Sequence, residues 1–148
     1  KGGKISNELF GFIKRNYIPA MSLFVRRTVD RHPQAVSLIK LLDDIAANSD
    51  AVTIKAFAKF SPNPDLPEEF FENGVLKKKV ILADIETLLK CTESVTANTD
   101  KWFAHWDEHR RKSKFNPTFD DLHNAVDCII EMYKRYYRLI KESGLILA

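Results

Sequence analysis

Apolar positions recur at helical spacing through the whole chain, and no stretch shows the strict alternation of a half-buried strand. From Asn7 to about Asp30 the period is carried by Leu9, Phe10, Ile13, Tyr17, Met21, Phe24 and Val25. Pro19 falls inside that pattern and predicts a kink or a break into two helices, because it removes one backbone donor. A second helix is predicted from about Pro33 or Gln34 to Ala47, burying Val36, Leu38, Ile39, Leu41, Leu42 and Ile45. Thr53 to Phe60 reads as two further turns. A long central helix follows from about Val75 to roughly Arg111, with Ile81, Ile85, Leu88, Leu89, Val95, Trp102, Phe103 and Trp106 on its apolar side. Thr118-Phe119-Asp120-Asp121 is an N-terminal signature, Thr118 as N-cap and Asp121 as an acidic residue at the third helical position. The helix it opens runs through Leu122, Ala125, Ile129, Met132, Tyr136 and Ile140 until Gly144 ends it.

The breaks are as clear as the helices. Ser61-Pro62-Asn63-Pro64-Asp65-Leu66-Pro67 cannot be regular structure, and Asn73-Gly74 marks a turn, so a Pro-rich loop covers about 61–74. Asn116-Pro117 leaves only a short connection between the two longest helices, which should pack as an antiparallel pair. The expected fold is all-α: one domain over 1–148, a helical bundle built on that long pair with the shorter helices packed against it.

Composition changes this picture little. A hydrophobic share of 45% with 29% charged residues fits an ordered globular domain and argues against disorder. A net charge of +3 is too small to demand a nucleic-acid partner, although a local cluster of cations still permits one. Cys91 and Cys128 both sit in helical patterns, so two reduced, core-facing thiols in a cytoplasmic protein are expected. No apolar run approaches membrane-spanning length and no signal-peptide core follows Lys1, so no membrane partner is expected.

Candidate chemistry concentrates in Thr99 to His109, which holds both tryptophans and two of the four histidines. On a helix Lys101, His105 and His109 share one face. His105-Trp106-Asp107-Glu108-His109 matches the inverted zinc-peptidase motif H-x-x-E-H. A third protein ligand and the strands of such peptidases are missing from the sequence, so no metal and no other cofactor is assigned. His32 at a turn and His123 early in the last helix read as surface histidines, and Lys77-Lys78-Lys79 as a solvated face. Tyr133, Tyr136 and Tyr137 could stack on bases, but their helical spacing reads as core and core edge. At the end of the first helix Arg27 and Asp30 are the charges best placed to face something specific.

Three segments in order carry a resemblance. They are Ser22 to Asp30 followed by Ser37 to Leu42; Asp100-Lys101-Trp102-Phe103-Ala104-His105-Trp106-Asp107; and Pro117 to Leu122 running into Tyr136-Tyr137. Together they resemble the HEPN superfamily (higher eukaryotes and prokaryotes nucleotide-binding), in particular its abortive-infection U-type subgroup. The resemblance covers most of the chain and implies a HEPN-like bundle whose long helix pair carries the site, commonly completed by a second protomer. It also implies a role in phage defence or a toxin–antitoxin system, with a nucleotidyltransferase-like antitoxin as one class of partner. Many such proteins are metal-independent ribonucleases in which a histidine moves protons and an arginine four to six residues ahead holds phosphate. His105 matches the histidine, but Asp100, Thr99 and Asn98 occupy the arginine positions. Lys101 is one residue too close, and lysine cannot reproduce a bidentate guanidinium grip.

The expected function is therefore binding of RNA, nucleotide or a protein partner through the face around His105, without full catalytic competence. The alternative is an endoribonuclease with His105 as acid and base, Lys101 and Arg27 on phosphate, and Asp30 or Asp107 orienting the ring. Trp102 and Trp106 flank His105 and are costly to leave in water, which predicts a homodimer joined near that histidine.

Overall fold

The computed structural model describes residues 7–57, 70–99 and 117–142. Among them the architecture is an all-α bundle, with one two-residue hairpin as its only sheet. In chain order the elements are α1 (Asn7–Thr28), α2 (Leu38–Ala47), a short 3-10 turn (Ser49–Ala51), α3 (Ile54–Phe57), β1 (Phe71–Glu72), β2 (Val75–Leu76), α4 (Lys78–Thr99) and α5 (Phe119–Glu142).

Helices α4 and α5 form the expected antiparallel pair. Asp84 near the start of α4 meets Tyr136 far along α5, while Cys91 meets Cys128 nearer the connection. Helix α1 lies beside α5 in the same direction, with Tyr17 stacked on Phe119 at 5.8 Å between ring centroids. Helix α2 packs on α4. Val25, Ile39, Leu42, Ile81, Leu88, Val95, Leu122 and Tyr136 are sealed at the centre. Each such aliphatic side chain stabilises the fold by about 1.5–3 kcal/mol relative to exposure.

The local signals at the helix ends explain most boundaries. Thr118 Oγ1 accepts from the Asp121 backbone N–H at 3.1 Å, and Asp121 Oδ2 accepts from the Thr118 backbone N–H at 2.8 Å. That reciprocal pair is a capping box, with aspartate in place of the usual glutamate. At the hairpin, Asn73 and Gly74 both take positive φ, 53° and 79°, which a tight two-residue turn requires.

Several boundaries differ from the sequence expectation. Helix α1 is continuous through Pro19 rather than broken there, and it packs on both α4 and α5. Helix α2 starts at Leu38, not near Pro33, since Ser37 is its N-cap and accepts from Lys40 N–H at 3.3 Å. The same Ser37 hydroxyl donates to the Asp30 carbonyl at 2.6 Å, fixing the segment between α1 and α2 as a turn. Val36, expected in the core, is fully exposed as a result. Val75 and Leu76 pair in the hairpin, and Leu76 N–H donates to the Val52 carbonyl at 3.0 Å, so α4 begins only at Lys78. Of the expected helix over Thr53–Phe60, Ile54–Phe57 is helical and 58–60 lie outside the described residues.

The cysteine expectation is overturned. Cys91 and Cys128 are not two free thiols but one disulfide linking α4 to α5, with their Cα atoms 6.7 Å apart. Helical period showed each cysteine facing inward, but the register between two helices decides whether two inward positions meet. A disulfide also removes the cysteine argument for a cytoplasmic location, since such bonds are rare in reducing compartments. No helix among the described residues is long and apolar enough to cross a membrane.

Candidate functional site

The sequence-derived site residues divide into two groups. Lys101, His105 and Asp107, with the H-x-x-E-H motif around them, lie outside the described residues. Arg27 and Asp30 lie at the C-terminal end of α1 and just beyond it, and the structure separates their roles.

Asp30 is held locally. Its Oδ1 accepts from the His32 backbone N–H at 2.9 Å and its Oδ2 from Arg26 Nη1 at 3.3 Å. The His32 N–H and then the Arg26 charge hold its carboxyl below the usual aspartate range. Both oxygens are thus occupied in closing the turn after α1, and the carboxylate is neutralised by Arg26. The side chain of Arg27, the residue after Arg26, has no hydrogen bond or ion pair among the described residues, while its backbone carbonyl accepts from the Asp30 N–H at 3.4 Å. Its side chain lines a cleft of about 350 Å³ between the end of α1, the turn leading into α2, and the middle of α5.

The cleft forms where α1, running parallel to α5, meets the turn before α2. Phe24 and Thr28 contribute from α1, Val36 and Ser37 from the turn, Leu38 from the start of α2, and Ile129, Ile130 and Tyr133 from α5. Phe24, Ile130 and Tyr133 are exposed, a costly arrangement for side chains of this size. Tyr133 also stacks on Tyr137 with centroids 5.6 Å apart. The tyrosine expectation thus holds for Tyr136, which is buried, whereas Tyr133 and Tyr137 present their rings outward.

The position of Thr99, the residue before Asp100, bears on the same end of the bundle. It is buried, and its hydroxyl donates to the Val95 carbonyl at 2.7 Å and lies 3.4 Å from the Ser22 carbonyl. Ser22 is five residues before Arg27 on α1, about 7.5 Å along the helix axis.

Two polar groupings escaped the sequence reading. Tyr17 Oη lies 3.0 Å from His123 Nε2 at an exposed position, so His123 is a surface histidine with a specific neighbour. Inside the α4–α5 seam, Asp84 accepts from Tyr136 Oη at 2.7 Å and from Arg135 Nη1 at 3.1 Å. The Arg135 guanidinium lies 4.7 Å from the centroid of the Phe70 ring. Asp84 had a legible signal: it falls on the buried stripe between Ile81 and Leu88, where a carboxylate needs partners.

No protein-family model, curated protein or solved structure matches the chain.

Proposed function

We propose that this chain is a HEPN-like binding module of a phage-defence or toxin–antitoxin system, holding RNA or a nucleotide with Arg27 as a phosphate contact. One observation carries the reading. Arg27, whose side chain has no hydrogen bond or ion pair among the described residues, lines an open, aromatic-edged cleft, while its acidic neighbour Asp30 is already occupied by Arg26 and His32. A guanidinium beside exposed rings suits a ligand that offers phosphate oxygens and a flat base. The arginine missing ahead of His105 weighs against full catalysis, and Arg27 supplies charge without supplying that motif.

The module acts as a homodimer in this reading, with an antitoxin-type protein as a further partner. The test is incubation of the purified protein with labelled single-stranded RNA, following anisotropy for binding and gel mobility for integrity. RNA bound and left intact supports the binding module. Cleavage that persists in chelator and disappears in His105→Ala would replace it with the endoribonuclease reading, and the absence of both binding and cleavage would remove both.

A further inference from the structure

The cleft beside Arg27 has walls suited to a ligand smaller than a nucleic acid. Phe24, Val36, Leu38, Ile129, Ile130 and Tyr133 make it predominantly apolar. Two of the three hydroxyls among its described lining residues have their protons committed: Thr28 Oγ1 donates to the Phe24 carbonyl at 2.9 Å and Ser37 Oγ to the Asp30 carbonyl at 2.6 Å. Among the described lining residues Arg27 is the only cation, and the Tyr133 hydroxyl has no hydrogen-bond partner among the described residues. Asp30, the nearest acidic residue in sequence, is held by Arg26 and the His32 N–H and does not neutralise Arg27.

One positive charge on an apolar wall defines the complementary ligand. The one described guanidinium matches one negative charge, and the apolar wall matches a hydrocarbon body. A neutral hydrocarbon would leave Arg27 without a partner. A cation would be repelled. The size also limits the choice: about 350 Å³ lies at the small end for ligand pockets and holds on the order of ten non-hydrogen atoms at the volume a water occupies.

We infer that this cleft binds a small amphipathic monoanion, a carboxylate carried on an aliphatic or aromatic body. Arg27 holds the carboxylate, and Phe24, Ile130 and Tyr133 cover the body. The inference goes beyond the RNA-binding reading and does not depend on it, because it rests on the wall chemistry and on the single charge.

Calorimetric titration of the whole chain with octanoate, 1-octanol, octylamine and acetate tests it, with amide chemical shifts to locate the site. Octanoate is expected to bind saturably at one molecule per chain, shifting amides near residues 24–28, 36–38 and 129–133. Octylamine and acetate should not saturate, and 1-octanol should bind more weakly than octanoate. Arg27→Gln, a change at an exposed position, should weaken octanoate roughly ten- to a hundredfold, and Ile130→Glu should abolish binding while helicity is kept. No saturable octanoate binding at millimolar concentration, equal affinity in Arg27→Gln, or shifts elsewhere on the bundle would overturn the inference. Octanoate binding in a protein that ignores RNA would uphold it and remove only the RNA reading.

Discussion

Tyr136 donates its hydroxyl proton to Asp84 Oδ2 at 2.7 Å across the seam between α4 and α5, with both side chains shut away from solvent. Arg135 closes the other carboxylate oxygen, so the buried charge is paired as well as hydrogen-bonded. Tyr136→Phe keeps the ring that packs on Phe70 but leaves Asp84 Oδ2 without its donor. The expected loss is about 1–3 kcal/mol of stability, measured by urea denaturation with the slope unchanged. Asp84→Ala should cost more, because it leaves both Tyr136 and Arg135 without their carboxylate.

The Cys91–Cys128 bond closes a loop of chain that includes the connection between α4 and α5, at a sequence separation of 37. In the chain-entropy account a loop of that length is worth about 4 kcal/mol. Reductant, or Cys91→Ser with Cys128→Ser, should lower the melting temperature by on the order of 10 °C. An unchanged melting curve would show that the packing of α4 on α5 holds the pair without the bond.

Thr118→Ala removes the side-chain acceptor for the Asp121 N–H and half of the capping box. A destabilisation of about 0.5–2 kcal/mol is expected. Thr118→Ser should restore most of it, since the oxygen is what the helix start uses.

Asp30 sets a pH dependence whose sign is fixed. Its folded-state carboxyl is held low, by the His32 N–H first and by Arg26 after it. The stability this gives is fully present above the ordinary aspartate range and is lost as pH falls through the lowered folded value. NMR titration should place Asp30 below a free aspartate. Asp30→Asn should flatten this part of the acid limb of the stability curve without changing the neutral plateau's slope.

How far the sequence reached follows from which signals are local. Helical period and the Thr118–Asp121 box are written within a few residues, and both appear in the structure as expected. Register between helices is not local. Cys91 with Cys128 and Asp84 with Tyr136 are contacts across separations of 37 and 52 residues, so the period alone could place each residue inward without pairing it. Where two local signals competed, the stronger cap won: Ser37 bonds both Lys40 N–H and the Asp30 carbonyl, and Pro33 opens only a turn. At the candidate site Arg27 was legible as a charge ending a helix, whereas the cleft beside it was not, because it depends on Val36 standing out from the fold.

In the proposed function Arg27 is an anion contact for RNA. The most direct measurement is the affinity for a labelled single-stranded RNA, by anisotropy, across a salt series for the wild type and Arg27→Gln. A direct phosphate contact predicts weaker binding in the variant and a slope of log affinity against log salt shallower by about 0.7. Identical affinity and identical slope in the two proteins would contradict the account.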